Sequence, residues 1–337
     1  AAISLCGVVS RFASWYRRAA YTVFALALFG VAFDFGFERA VLLLSVAAVA
    51  AVVAARRAVA LASLVGILFV SAALTTEDEL LIQRRTFFGV SRVLSDGTNH
   101  TLVSGTTVHG AQRFHPTPSP QPLAYYHPAG PFGQTMEEFG TDAETIGVIG
   151  LGAGAMASLG QSGQTIYFYE IDPAVVEIAS DPKLFTFLSN SAAQVEIVLG
   201  DGRLTIIEPH PPFDLMIVDA FSSDSIPTHL LTQQAISLYF EQLEAGSVVG
   251  LHISNRHLDL EPVIGRLAAE MGLQSRINRY LPHPDVIDAA PTTFVVLGRQ
   301  LRDLGSLASD PDWHELRVGP HLWTDTYTDL ISVIRWR

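Results

Sequence analysis

The chain has 337 residues, a length that fits about two domains. Its net charge of −12 excludes a protein that binds nucleic acid through a basic surface, because there is no excess of cations to neutralise phosphates. The single cysteine, Cys6, excludes an intrachain disulfide and a cysteine-based metal site. The histidines lack the spacing of paired ligands on a helix, so we expect no bound metal.

Residues 1–76 are predicted to form about three transmembrane helices. Three stretches in this part have no charged side chain: 19–33, 40–55 and 58–74. Each is slightly shorter than the ~20 residues that cross a bilayer, but uncharged or interfacial neighbours extend it. Buried core helices are the alternative interpretation. The pattern therefore favours an N-terminal part that lies in the lipid bilayer.

Residues 84–130 are predicted to form a small β-domain and a proline-rich loop. Residues 86–112 alternate and are rich in β-forming side chains, with turn signals between them, which is typical of a β-meander. Six prolines between residues 115 and 131 exclude a helix or a central strand there. Tyr125 and Tyr126 lie in this loop, and we expect this part of it to fold over a pocket.

Residues 131–337 are predicted to form a Rossmann-like, nucleoside-binding catalytic domain of the α/β class. Apolar strands alternate here with helical stretches, which is typical of a doubly wound parallel sheet. The predicted strands span residues 145–150, 165–170, 194–199, 213–219 and 246–253.

Three glycines, Gly150, Gly152 and Gly154, follow the first of these strands. Glycine allows a tight turn and brings bare backbone N–H groups against a ligand at a helix start. Glu170 ends the next strand and is followed by Ile171. An acid at this place can accept hydrogen bonds from both hydroxyls of a ribose. The sequence therefore predicts a nucleoside site.

Acids also end the third and fourth predicted strands. Asp201, followed by Gly202, is placed to accept a hydrogen bond from an adenine amino group, and Asp219 ends the fourth strand. Dinucleotide enzymes usually have a third glycine at the sixth position of the loop, whereas counting from Gly150 this position is Ala155. Three acids over one crevice suit S-adenosylmethionine or a relative better than NAD. A dinucleotide and a fold that has lost its ligand are the alternatives.

Several motifs together resemble the spermidine synthase family, most closely its membrane-fused bacterial branch. The stretches that carry the resemblance are Gly150 to Gly154, Glu170 to Pro173, Gly200 to Arg203 and Asp219 to Asp224, supported by His109 to Gln112 and by Tyr125-Tyr126. The resemblance covers residues 84–330. It implies a fold of the class I methyltransferase and spermidine synthase type, and a homodimer. The implied enzyme transfers an aminopropyl group from decarboxylated S-adenosylmethionine to a polyamine and releases 5′-methylthioadenosine.

The resemblance also implies roles for individual residues. Asp219 aligns with the catalytic aspartate and Asp224 with the acid that holds the acceptor amine, although four residues separate them here where the family has two. Tyr125 and Tyr126 would contact a sulfonium or an ammonium through their rings. The remaining candidates for substrate contact are His109 and Gln112. A helix cap or simple packing is the alternative for each of these six residues.

Ala153 departs from the pattern, because the family usually has an aspartate here that pairs with the amine of the aminopropyl group. Its loss removes a charge-assisted contact of about 1.5–3 kcal/mol. Either another acid substitutes, or the substrate is intact S-adenosylmethionine. A methyltransferase and an acceptor-free lyase or cyclase therefore stay open, as does a non-catalytic membrane module that senses the ligand.

The resemblance places the chain in the bacterial inner membrane as a multi-pass protein. Five arginines on one side of the predicted spans against four on the other mildly favour export of the catalytic domain. Sulfonium nucleosides are made in the cytosol, so we expect the catalytic domain in the cytoplasm.

Overall fold

The computed structural model describes residues 78–221 and 227–335. The three predicted membrane segments and Asp224 lie outside the described residues. Within these two ranges, no helix has the length and apolar character that a membrane span needs.

A four-stranded antiparallel meander comes first, with its strands in chain order. Its strands are β1 (Glu79–Arg85), β2 (Val90–Ser95), β3 (Asn99–Ser104) and β4 (Thr107–Arg113). The meander begins earlier than the expected start at residue 86. Most side chains of β1 are exposed because it is an edge strand, so it lacks the alternation that reveals a half-buried strand.

The proline-rich loop packs on the core before it enters helix α1 (Pro131–Thr135). Leu123 and Tyr126 of the loop are buried. Pro131 occupies the first turn of α1, where the missing N–H has no partner to lose. Backbone hydrogen bonds also order the loop, since the N–H of Leu123 donates to Ala111 and the N–H of Ala124 donates to Asp288. The meander, the loop and the sheet described next belong to one compact unit.

The second sheet has seven strands in the order β10-β11-β9-β8-β5-β6-β7. Their bounds are β5 (Thr145–Ile149), β6 (Thr165–Glu170), β7 (Gln194–Leu199), β8 (Phe213–Val218), β9 (Leu243–His252), β10 (Gln274–Tyr280) and β11 (Thr292–Gly298). The five predicted strands, β5 to β9, are parallel as expected, whereas β11 runs antiparallel to both β9 and β10. No helix connects β10 to β11, and strands joined without a crossover pair antiparallel.

The helices that connect its strands cover the second sheet, and apolar clusters pack on both of its faces. The further α-helices are α2 (Pro173–Ser180), α3 (Gly202–Thr205), α4 (Gln233–Glu241) and α5 (Glu261–Met271). The 3₁₀ helices are Ala155–Leu159, Thr228–Leu230, Leu301–Ala308 and Ile331–Val333, and a π-helix spans Met136–Gly140. The fold is α/β and Rossmann-like, as expected.

The direction of winding reverses between β5 and β8. From β5 the chain continues to β6 on one side, whereas β8 lies on the other side of β5. In sheets of this kind, ligands bind in the crevice at the carboxyl ends of the two strands that flank the reversal. Gly150 follows β5 and Asp219 follows β8, and the N–H of Asp219 donates to the carbonyl of Ile149 over 2.8 Å. The fold therefore brings the glycine loop and Asp219 to one crevice.

Candidate functional site

A cavity of about 290 Å³ lies in the crevice between β5 and β8; we call it the switch-point cavity. The residues after β5, β6, β7 and β8 contribute to its wall, together with the tyrosine pair of the proline-rich loop. The sequence-predicted residues that line it are His109, Tyr125, Tyr126, Gly150, Gly152, Glu170, Ile171, Asp201, Gly202 and Asp219. Gln112 and Gly154 lie outside its lining.

The glycine loop depends on glycine at its first two positions. Gly150 and Gly152 have φ angles of 103° and 55°, in the left-handed region that disfavours other residues. A Cβ on Gly150 would overlap the backbone oxygen of Asp219, and one on Gly152 would overlap that of His109. The backbone of the glycine loop is therefore in close contact with the end of β8 and with strand β4.

The loop differs from the prediction in how it uses its N–H groups. A single 3₁₀ turn, Ala155–Leu159, follows it where an α-helix start was expected. The N–H of Ala153 donates to His109, and the N–H of Gly154 donates to Leu151. These two donors are used inside the protein. The loop therefore lets a ligand approach its backbone closely, but it does not present the N–H groups of a helix start.

Glu170 joins the end of β6 to the glycine loop. Its Oε2 accepts the N–H of Leu151 over 3.0 Å, and its Oε1 accepts the N–H of Asp172 over 2.9 Å. The side chain is buried, and burial raises the pKa of Glu170 although these backbone donors oppose the rise. The carboxylate is fixed in orientation at the cavity wall, and each oxygen keeps a lone pair for a further donor.

Asp201 caps helix α3, a role that the sequence pattern did not predict. Its Oδ1 accepts the N–H groups of Arg203 and Leu204 over 2.9 and 3.3 Å. Its Oδ2 lies 3.2 Å from Nε2 of His229, which also lines the cavity. Asp201 therefore presents one oxygen at the cavity while the other holds the helix.

Asp219 lies at the centre of a buried hydrogen-bond network. Its Oδ2 accepts the hydroxyl of Tyr126, and its Oδ1 lies 2.6 Å from Nδ1 of His252. Nε2 of His252 lies 2.8 Å from Oγ of Ser254, and that oxygen accepts the N–H of Thr293 over 2.8 Å. We assign the proton of His252 to Nδ1 because every donor and acceptor is then satisfied around an ionised Asp219.

From the sequence, we expect His252 only to shape the loop after the fifth strand, yet the sheet places it beside Asp219. Strands β8 and β9 are parallel neighbours, and Val218 pairs with Leu251. The residues that follow these two, Asp219 and His252, therefore lie side by side. Such a pair can be recognised in a sequence when an acid and a histidine follow two strands that are adjacent and parallel in the sheet.

Tyr125 and Tyr126 form an aromatic wall against this network. Their ring centroids are 4.5 Å apart, and the ring of Tyr125 lies 4.7 Å from that of His252. Burial, reinforced by the charge of Asp219, raises the pKa of both hydroxyls well above their usual range. Tyr126 thus stays neutral and acts as a donor to Asp219.

His109 and Gln112, both on β4, have different surroundings. His109 lines the switch-point cavity. The side chain of Gln112 is fully buried, and its amide donates to Ser119 and Thr186 over 2.8 and 2.7 Å. Its oxygen accepts the N–H of Thr186 over 2.9 Å. Gln112 thus links the meander to the loop before β7 by hydrogen bonds, and it lies away from the cavity.

Ala153 faces the meander and not the cavity. Ala153 is fully buried, and a Cβ built on Gly110 would lie 2.7 Å from the Cβ of Ala153. A carboxylate at this position would have no space. The acids that line the cavity come from strand ends instead, and one of them, Asp172, already caps α2 and accepts the hydroxyl of Thr86. Across the two described ranges, no cluster of three acids, histidines or cysteines could hold a metal ion.

No family model and no curated protein matches the sequence. A probable spermidine synthase from Corynebacterium glutamicum is 14% identical, with 64% of this chain and 79% of that one covered and a TM-score of 0.47. The spermidine synthase from Thermotoga maritima is 13% identical, with coverages of 69% and 76% and a TM-score of 0.45. The O-methyltransferase TomG from Streptomyces achromogenes, in complex with SAM, is 14% identical, with coverages of 46% and 72% and a TM-score of 0.34. Nothing about substrate or reaction follows from likenesses this distant.

Proposed function

We propose that the chain binds an adenosyl-sulfonium nucleoside in the switch-point cavity and transfers its aminopropyl group to an amine. The observation that carries the proposal is the buried carboxylate of Asp219, held by Tyr126 and His252 at the wall that Glu170 and Asp201 also line. A buried acid with two fixed partners in a cavity is an arrangement typical of a catalytic group.

The residues of the cavity fit the parts of such a nucleoside. Gly150 and Gly152 allow close approach of the ligand to the backbone. Glu170 is the acceptor for the ribose hydroxyls, and Asp201 is the acceptor for the adenine amino group. The ring of Tyr125 offers a π-face to a sulfonium.

Asp219 has a defined task in the transfer. The nitrogen lone pair of the amine forms a bond to the methylene beside sulfur, the C–S bond breaks, and its electron pair stays on sulfur as the thioether of 5′-methylthioadenosine. A free amine is nearly all protonated at neutral pH, so its proton must be accepted. Asp219 holds the ammonium and accepts that proton, while Tyr126 and His252 keep the carboxylate oriented.

Ala153 favours a second candidate, an enzyme that acts on intact S-adenosylmethionine as a lyase, cyclase or methyltransferase. The packed Ala153 side chain leaves the glycine loop without an acid for the ammonium of a decarboxylated substrate. Incubation with each sulfonium nucleoside, followed by mass spectrometry, tests both candidates. Methylthioadenosine indicates alkyl transfer or cleavage, and S-adenosylhomocysteine indicates methylation. Turnover of neither nucleoside would contradict both.

We also propose that residues 1–76 anchor the chain in the bacterial inner membrane, with the catalytic domain in the cytoplasm. The three uncharged stretches at 19–33, 40–55 and 58–74 support the anchor. Protease treatment of vesicles of both orientations tests the topology. Digestion of residues 84–337 from the periplasmic face alone would contradict a cytoplasmic domain.

Glu170→Gln should weaken the binding of methylthioadenosine by about 1.5–3 kcal/mol, because a charge-assisted hydrogen bond becomes a neutral one. Isothermal titration calorimetry measures the loss. Glu241→Gln, at an exposed position of α4, is the matched control and should bind as the wild type does. Equal affinities in all three proteins would refute the role of Glu170 in binding the nucleoside.

Lower pH should weaken methylthioadenosine binding to the wild type but not to Glu170→Gln. Ribose hydroxyls donate to the ionised carboxylate, so affinity is present above the pKa of Glu170 and is lost as pH falls through it. Burial raises this pKa above its usual range, so the loss begins at a higher pH than for an exposed glutamate. Calorimetry from about pH 8 down to about pH 4, the ordinary range of a glutamate, measures it. A flat wild-type profile over this range would contradict the role of Glu170.

A further inference from the structure

A second cavity, of about 720 Å³, lies beyond the wall of the switch-point cavity; we call it the basic cavity. Tyr125 and Phe221 line both cavities. His252 lines the basic cavity and is hydrogen-bonded to Asp219, which lines the switch-point cavity. The two cavities therefore share a wall, and the buried Asp219–His252 pair is part of it.

The charges of the two cavities are opposite. Four acids and no arginine or lysine are among the described residues that line the switch-point cavity. Arg256, Arg279 and Arg335 line the basic cavity, and no acid is among its described lining residues. A cationic nucleoside suits the first cavity, whereas the second suits an anion.

Nearby acids neutralise only part of the positive charge. Arg279 pairs with Glu261 over 2.6 Å, and Arg335 lies 3.9 Å from Asp259. Both acids are shared with Arg317, over 3.0 and 2.7 Å. These three arginines and two acids leave one net positive charge beside the basic cavity.

Arg256 adds a second positive charge. Its side chain is exposed, and none of the acids in the described ranges forms an ion pair with it. It follows Ser254, the partner of His252, by two residues. A guanidinium binds a carboxylate through two parallel hydrogen bonds. The same cations would repel a polyamine, which carries only positive charge.

We infer that the basic cavity binds the second substrate, and that this substrate is an amine that carries a carboxylate. The inference rests on the proposed alkyl transfer. Arg256 binds the carboxylate, and the amine extends into the switch-point cavity past Tyr125 and Phe221, the two residues that line both cavities. Asp219 accepts the proton of the ammonium, the freed amine nitrogen forms the bond to the methylene, and the C–S bond breaks with its electron pair staying on sulfur. The products are an N-alkylated amino acid and methylthioadenosine.

Two diamines that differ by one carboxylate test the inference: putrescine, and ornithine, which is putrescine with a carboxylate on a terminal carbon. Calorimetry on the 337-residue chain should show ornithine binding about tenfold or more tightly than putrescine, since one charge-assisted contact is gained. Arg256→Gln should abolish this preference. Arg302→Gln, an exposed arginine that lines neither cavity, is the matched control and should keep it.

Titrations with and without methylthioadenosine separate the two proposals. Absence of methylthioadenosine binding refutes the proposed nucleoside site, whereas an ornithine preference that depends on Arg256 still supports the anion site. Putrescine binding as tightly as ornithine would overturn the inference. So would a preference that survives Arg256→Gln, or binding of neither diamine by a chain that binds methylthioadenosine.

Discussion

Asp219→Asn is expected to reduce turnover by roughly 10²–10⁴, the usual contribution of a general base, with little change in nucleoside affinity. Asparagine keeps the shape of the side chain and its hydrogen-bonding capacity, but it loses charge and basicity. The amide that replaces the carboxylate would still meet two adaptable partners, because the hydroxyl of Tyr126 rotates and His252 can exchange tautomers. The fold should therefore persist while the proton acceptor is lost.

The measurement is the rate of methylthioadenosine formation in the wild type and in Asp219→Asn, with no amine, with putrescine and with ornithine. Amine transfer predicts that wild-type formation depends on an added amine and that the mutation removes this dependence. An acceptor-free reaction predicts the same slowing with no amine present. Asp312→Asn, at an exposed position, is the control and should leave every rate unchanged. Wild-type rates in Asp219→Asn under all three conditions would reduce Asp219 to a structural residue.

The strand-end residues of the site could be predicted from the sequence. Glu170, Asp201 and Asp219 each follow a short apolar run, and parallel strands bring their carboxyl ends to one edge of a sheet. The structure places all three at one cavity together with the glycine loop. This part of the site is encoded locally, because each acid needs only its own strand to reach the crevice.

The basic cavity could not be predicted in this way. Its arginines come from the segment after β9, from β10 and from the end of the described chain. These arginines come together because the β10–β11 hairpin adds to the edge of the sheet. A local sequence pattern does not predict which edge of a sheet a hairpin joins. Gln112 shows the same limit. Its motif is a local signal, but the direction of its side chain depends on Thr186, far away in the chain.

His252→Ala should lower the free energy of unfolding by about 1.5–3 kcal/mol, because the buried carboxylate of Asp219 loses a hydrogen bond to a charged group. The Asp219 carboxylate is 2% exposed, and the substitution leaves it with Tyr126 as its only side-chain partner among the described residues. The ring also packs against Tyr125 and Phe221, with centroids 4.7 Å away in both cases, so a void adds to the loss. Denaturant unfolding followed by tryptophan fluorescence, to which the buried Trp313 and Trp323 contribute, measures the change.

A double-mutant cycle separates the charge from the void. In the Asp219→Asn background no uncompensated charge remains, so His252→Ala should cost less than in the wild type. The interaction energy should lie within about 0.5–3 kcal/mol, the range for residues in direct contact. Additive losses would mean that His252 only fills space. A void costs the same whether residue 219 is charged or neutral, so the coupling measures how strongly His252 stabilises the charge of Asp219. The proposed transfer requires that charge.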